Sequence, residues 1–283
     1  MRILITGGAG FIASHLYEVL GAEHDVWGFD NFLTGQNNYH EISEVDITDR
    51  GSVYRLANDH KPEVVIHCAA SYNDPDKWHR DTQINVEGGI NAALVAKHHN
   101  AHLIYFQTIL PPVSSYAISK IAAEQYMRLS GVDLTVLRLA NIYGPRNLSG
   151  PIPVFHRRID EGLPCVVVDT TRDMVYIADL VRAVQQVVTE RLTGTFDVCS
   201  GIQTPIMDLF QEVRRHFTGE EIPPLIPPDP DDVQGVVSLS NRPPGWSAET
   251  SLRDGIRNAV WYYRENTVTQ TYTHLRIGEK DAS

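Results

Sequence analysis

The sequence contains three cysteines, Cys68, Cys165 and Cys199, among 283 residues. They stand far apart with no CxxC pair, so neither a disulfide framework nor a cysteine-rich metal knot is expected. Long apolar runs are missing as well: no stretch reaches the roughly 18 residues that a membrane-spanning helix requires. Positive charge is scarce, with 24 Lys and Arg against 35 Asp and Glu and a formal net charge of −11. A nucleic-acid footprint is therefore not expected, and a phosphate-bearing ligand would depend on local arginines or backbone N–H groups. Internal repeats and low-complexity tracts are absent. The first residues pass straight into a strand-like run without the pattern of a leader peptide, so the expected compartment is the cytoplasm.

What is present is an alternation of two periodicities. Short apolar runs at residues 2–6, 25–29, 63–67, 102–106, 134–139 and 194–198 read as strands. Helical spacing appears at Ile12, Leu16, Val19 and Leu20, which stop at Gly21, and again over 82–99, 116–129 and 255–263. Strands alternating with helices imply a parallel sheet covered on both faces. The proline- and aspartate-rich stretch 222–232 reads as loop, and the polar end from Gly278 as frayed.

The first strand runs into Thr6-Gly7-Gly8-Ala9-Gly10-Phe11-Ile12-Ala13. Glycines at Gly7 and Gly10 permit a tight strand-to-helix turn, and the small Ala13 lets the helix pack close to the sheet. Such a turn presents backbone N–H groups and the positive end of a helix dipole to a pyrophosphate. A glycine pattern alone is weak, but this one follows a strand, opens a helix and precedes Asp30 at the end of the second strand. Asp30 would take both ribose hydroxyls and repel a 2′-phosphate, so NAD is expected rather than NADP. Asp46 and Ile47 could flank the adenine, although Asp46 reads equally well as a solvated loop acid. The fold expected is α/β, a Rossmann-like doubly wound parallel sheet with a smaller C-terminal substrate lobe. Residues 1–145, with 172–200 returning to them, would bind NAD, while 146–171 and 201–283 would form the substrate-binding lobe.

Tyr116 and Lys120 lie at i and i+4, one turn apart on one helix face. A phenol near pKa 10 is a poor base at neutral pH. A neighbouring ammonium and the positive nicotinamide ring would lower it, and the same lysine could hold the nicotinamide ribose. By itself such a pair is common on surface helices; downstream of a dinucleotide turn it gains specificity.

These residues, together with Asp30-Asn31, His67-Cys68-Ala69-Ala70, Asn85-Val86, Arg138 to Pro145 and Arg172 to Asp179, resemble the extended short-chain dehydrogenase/reductase superfamily. Phe106-Gln107-Thr108 and Gly150-Pro151-Ile152-Pro153 resemble its nucleotide-sugar branch, most of all C4 epimerases of the UDP-glucose 4-epimerase type from bacterial polysaccharide clusters. The resemblance implies that Tyr116 takes a proton from the sugar 4-hydroxyl as hydride passes to NAD, with Thr108 bonding the same oxygen. It implies cofactor contacts from Phe11, Ile12, Asn31 and Ala69, and substrate contacts from Asn141 and Arg172. A guanidinium suits bidentate phosphate contact, but an ion pair of Arg172 with Asp173 or Asp169 stays open. Asn85 reads as architectural. Relatives pair the helices holding 82–99 and 116–129 into a four-helix dimer interface, so a homodimer is implied.

The sequence departs from that pattern twice. Eight positions separate Thr108 from Tyr116, where the family carries a longer covering loop, and residues 32–39 and 240–246 are also short. This brevity reads as residues missing from the written chain; an intact mass near 31.7 kDa would overturn that expectation. Second, Asp229 stands where the family often has a phosphate-gripping arginine; either Asp232 takes the ribose hydroxyls and Arg172 the phosphate, or the nucleotide is held differently, and the base, UDP or dTDP, stays open.

Epimerisation through a 4-keto sugar needs only Tyr116, Lys120, Thr108 and a tightly held NAD. A 4,6-dehydratase needs an acid pair after the threonine, where this chain has Ile109-Leu110. The alternatives are that dehydratase or another 4-keto-forming enzyme, and a non-catalytic NAD-binding sensor or scaffold. His98, His99 and His102 lack matching carboxylate or cysteine spacing, so no metal is expected. Asn73 to Trp78 reads either as pocket lining or as a solvated turn.

Overall fold

A computed structural model describes residues 1–35, 42–71, 76–219, 223–226, 239–266, 268 and 270–272. Seven parallel strands form the main sheet: β1 (Arg2–Thr6), β2 (Asp25–Asp30), β3 (Ile42–Glu44), β4 (Val64–His67), β5 (His102–Thr108), β6 (Leu134–Leu139) and β9 (Gly194–Val198). Their spatial order is β3-β2-β1-β4-β5-β6-β9. The order reverses direction between β1 and β4, and in such sheets ligands bind beyond the C-terminal strand ends at that reversal.

Each buried strand is apolar on both faces, as parallel sheets require. On one face Ile3, Ile5, Ile66, Ile104 and Leu137 pack under α1 (Phe11–Leu20) and α7 (Ile177–Glu190). On the other face Leu4, Val65, Leu103, Tyr105 and Val136 pack under α2 (Arg50–His60), α4 (Gly88–His99) and α5 (Ser115–Ser130). The helices α4 and α5 approach closely because Gly89 has no side chain; a Cβ there would lie 3.1 Å from Ala123 Cβ and from Met127 Cε.

The helical run expected over 82–99 is built in two pieces, a π-helical turn (Thr82–Glu87) and α4, and a short helix, α3 (Trp78–Asp81), leads into it. The wide turn brings the Asn85 side chain inward. Its amide oxygen accepts from Ser71 N at 2.8 Å, and its Nδ2 donates to Ser71 O and Ser119 Oγ, each at 2.9 Å. Asn85 thus ties the exit of β4 to α5.

A third apolar cluster lies apart from these two. Here α6 (Pro151–Asp160), α8 (Ile206–Arg214) and α9 (Leu252–Glu265) meet through Ile152, Phe155, Leu209, Phe210, Ile256 and Val260. A three-stranded sheet borders it, with β8 (Thr171–Tyr176) between β7 (Asn141–Tyr143) and β10 (Gln203–Pro205). Trp246 fastens the chain leading into α9 to α7, donating its Nε1 hydrogen to Asp179 O at 2.9 Å. Among the described residues no helix is long and apolar enough to cross a membrane.

Candidate active site

β1 ends at Thr6, and Gly7 turns the chain with φ +68°. A Cβ on Gly7 would lie 2.6 Å from Ala69 N, so the turn rests directly on the backbone leaving β4. Gly10 donates to Gly7 O at 3.0 Å and precedes α1, which begins without a side-chain cap. Phe11 opens the helix edge-on to His15, and Ile12 packs against the core. The first N–H groups of α1 and the positive end of its dipole lie beside the glycine turn.

Asp30 ends β2 alongside this turn. Its Oδ2 accepts from Ala9 N at 3.0 Å and its Oδ1 from Phe32 N at 2.8 Å. Burial pushes its carboxyl above the ordinary value, and the backbone bonds from Phe32, Ala9 and Asn31 oppose that rise. Asn31 Nδ2 donates to Asp46 Oδ2 at 2.7 Å, and Thr48 bonds Asp46 Oδ1 through both N and Oγ1. Burial works against the Asp46 carboxylate, but the bonds from Asn31 and Thr48 outweigh it and hold the group below its ordinary range. Ile47 turns inward: it is buried, faces Gly88, and its carbonyl accepts from Asn91 Nδ2 at 2.9 Å. An uncapped helix start, a glycine cradle that a Cβ would fill, and a carboxylate at the β2 end together fit a dinucleotide.

α5 lies over the last residues of β5. Ser114 starts the helix by accepting from Ala117 N at 3.2 Å. Tyr116 is half-buried and Lys120, one turn on, is buried. Burial pushes the Lys120 ammonium down to about 7. Lys120 Nζ stands 4.3 Å from the centre of the Tyr105 ring, and Tyr105 Oη donates to Lys120 O at 2.9 Å. Thr108 closes β5; it is buried and its Oγ1 accepts from Leu110 N at 3.1 Å. Cys68 is no ready nucleophile, because burial pushes its thiol up while Lys120 only partly opposes this.

Asn141 begins β7 and donates Nδ2 to Asp173 O at 3.1 Å, so it sits beside β8, which carries Arg172. The Arg172 guanidinium bonds Thr170 Oγ1 at 2.9 Å and Thr171 O at 2.8 Å. The Asp173 carboxylate faces the turn after β9, accepting from Ser200 N and Oγ and from Gly201 N. Asp232, Asp229 and Asn73 to Pro75 lie outside the described residues. His102 bonds Thr135 Oγ1 inside the core, whereas His98 and His99 end α4.

The profile of the NAD dependent epimerase/dehydratase family matches residues 3–199. The chain belongs to that family. Its members depend on NAD, and this chain is an enzyme of the epimerase/dehydratase kind. A putative UDP-glucose 4-epimerase of Methanocaldococcus jannaschii is 30% identical, with 94% of this chain and 100% of the relative covered. A UDP-N-acetyl-alpha-D-glucosaminuronate decarboxylase of Bacillus cytotoxicus is 28% identical over 93% of this chain and 98% of that protein. Among solved structures, the Bordetella bronchiseptica enzyme WbmG in complex with NAD superposes with a TM-score of 0.86 at 35% identity, covering 97% of both chains. The alignment with the M. jannaschii protein spans 312 positions, more than this whole chain, so that relative carries segments this family member lacks.

Family motifs readily find Gly7, Asp30, Tyr116 and Lys120. They give no role to Tyr105 or Thr6, and none to His67 beyond its place in a motif. These three become neighbours only through strand register: Thr6 pairs with His67, and His67 with Tyr105. Alternation along each strand would have put them on one sheet face, but the pairing register is not written in any single segment.

Proposed function

We propose that this enzyme inverts C4 of a nucleotide-activated sugar through a transient 4-keto sugar. The carrying observation is the Tyr116/Lys120 turn of α5, set over β5, whose last residue is Thr108. When bound, NAD supplies the acceptor and later the donor of the C4 hydride. Tyr116 holds the proton of the 4-hydroxyl at its phenol oxygen and returns it, and Thr108 Oγ1 bonds the same sugar oxygen. Lys120 favours the phenolate by its charge one turn away. Gly7, Gly10, Phe11 and Ile12 line the pyrophosphate side. Asp30 and Asn31 take the adenosine ribose, Asp46 and Ile47 border the adenine, and Ala69 contacts the cofactor next to Gly7.

Asn141 and Arg172 are assigned to the diphosphate and Asp232 to the nucleotide ribose. The substrate lobe is 146–171 with 201–283, and residues 1–145 with 172–200 hold NAD. Relatives named for UDP-sugars favour UDP over dTDP. The test is an NMR assay of the purified protein with UDP- and dTDP-sugars. A C4-inverted product supports the reading, and retained NAD without turnover would leave a sensor or scaffold instead.

Decarboxylation of a UDP-uronic acid is the second reading, favoured by the 28% identical decarboxylase; carbon dioxide release with a pentose product would mark it. Dehydration is disfavoured because Ile109 packs against the core where that chemistry needs an acid. The same reading includes a cytoplasmic homodimer. Ile118, Tyr126 and Leu129 form one exposed apolar stripe on α5, at 53%, 50% and 81% exposure. Leu129→Glu is expected to give a monomer in light scattering, and an unchanged mass would remove that face from the interface.

A further inference from the structure

Thr6, His67 and Tyr105 form a cross-strand row on the sheet face covered by α5. Thr6 Oγ1 and His67 Nδ1 are 2.7 Å apart, and the His67 ring stacks at 17° to the Tyr105 ring with centroids 5.8 Å apart. Tyr105 then meets Lys120 twice. Its hydroxyl donates to the Lys120 carbonyl at 2.9 Å, and its ring face lies 4.3 Å from the Lys120 ammonium. One side chain therefore grips both the backbone and the charged end of the same residue.

We infer that Tyr105 is a positioning residue for Lys120, its ring face serving as the seat of the buried ammonium in place of a carboxylate. The inference rests on the reading above, in which Lys120 acts on the Tyr116 phenol. The titratable groups facing this pocket are His67 and Cys68 from β4 and its exit, Tyr105 from β5, and Tyr116 and Glu124 from α5. Burial drives His67 down to about 3, and burial pushes the Cys68 thiol up, so both are neutral at pH 7. Glu124 is committed elsewhere, accepting from Gln107 Nε2 at 3.1 Å and from Arg128 Nε at 2.8 Å.

Among the described residues no carboxylate pairs with Lys120. The distinction matters physically. A buried carboxylate would cancel the ammonium's field, whereas a ring face attracts the cation through its quadrupole and leaves its net charge whole. Whenever Lys120 is protonated, its field then acts on the phenol one turn away with no carboxylate to cancel it.

The test separates ring electrostatics from shape. Tyr105→Phe keeps the ring, and pentafluorophenylalanine in place of Tyr105 keeps nearly the same outline while reversing the charge on the ring face. Lys120 ionisation is followed by competitive amine labelling and mass spectrometry across pH, a readout that needs no turnover. The fluorinated variant is expected to raise the Lys120 acid constant by about tenfold, with Phe changing it about twofold or less. The alkaline limb of the kcat–pH profile, where loss of the Lys120 proton withdraws its charge from the phenol, should move to lower pH by the same amount in the fluorinated variant, with KM nearly unchanged. Identical Lys120 titration in the fluorinated variant and wild type would overturn the inference, as would a Phe variant shifted as far as the fluorinated one. If wild type turns over no nucleotide sugar, the functional reading fails while the labelling experiment still decides the role of Tyr105.

Discussion

Gly7 and Ala69 touch through their backbones: a Cβ on Gly7 would stand 2.6 Å from Ala69 N and 2.7 Å from Ala69 Cα. Neither atom belongs to a flexible side chain, and φ at Gly7 is +68°. Gly7→Ala should therefore destabilise the protein by about 3 kcal/mol or more and abolish NAD retention. Gly51, where the nearest atom would be 3.5 Å away, provides the contrast. Gly51→Ala should leave stability within about 1 kcal/mol or raise it. Urea midpoints of the two variants check this, and equal midpoints would refute the tight contact.

Asp30 serves the fold before it serves any ligand, since both its oxygens accept backbone N–H groups. Asp30→Asn keeps one good acceptor and loses the charge. Expected are a stability loss of about 1 kcal/mol, weaker NAD retention and less discrimination against NADP. Titration with both dinucleotides measures the last two; an unaltered NAD to NADP ratio would take Asp30 out of cofactor selection.

Tyr116→Phe removes the phenol oxygen while leaving the ring that lies near Tyr105. Turnover should fall about 10²- to 10⁴-fold, with NAD still bound after gel filtration. Activity near wild type would exclude Tyr116 from proton transfer.

Acid should weaken the fold through its buried histidines. Burial lowers His67 from 6.5 to about 3, and His15, His102 and His156 move in the same direction. The folded-state values are depressed, so between about pH 3 and 6.5 the unfolded chain binds more protons than the native one. The stability is complete above 6.5 and declines as pH falls. His67 alone should remove about 2 kcal/mol between pH 7 and 5. Urea unfolding at both pH values measures the loss, and His67→Gln should flatten it; a variant with the full wild-type slope would acquit His67.

How much could be read from the chain differs from one element to the next. Strands such as 134–139 and the helix over 116–129 announce themselves, because a fully buried strand and an amphipathic helix leave opposite periodicities. The glycine turn and Asp30 were legible because their spacing reflects a local requirement. Tyr105 under Lys120 was not, since 15 residues and a strand-to-helix connection separate them and only packing brings them together. The architectural part of Asn85 was legible from the resemblance, but its partners in the π-helical turn, Ser71 and Ser119, were not, since both lie distant in sequence. The short pairing of β7 with β8 likewise depends on residues far apart in the chain, Asn141 with Met174 and Tyr143 with Tyr176, and the bond from Asn141 to Asp173 spans 32 positions.

The place of β9 beside β6 has a bearing on how the chain is made. During synthesis β6 leaves the ribosome long before residues 194–198, and everything from β7 to α7 must pass first. Until then β6 is a bare sheet edge, and the valines of α7 that seal the sheet, Val181, Val184, Val187 and Val188, are missing. A nascent or truncated chain ending near Tyr143 would offer that edge to other chains. The main sheet thus cannot close before β9 arrives, and the interval between the making of β6 and of β9 is when its open edge is most exposed to pairing with other chains.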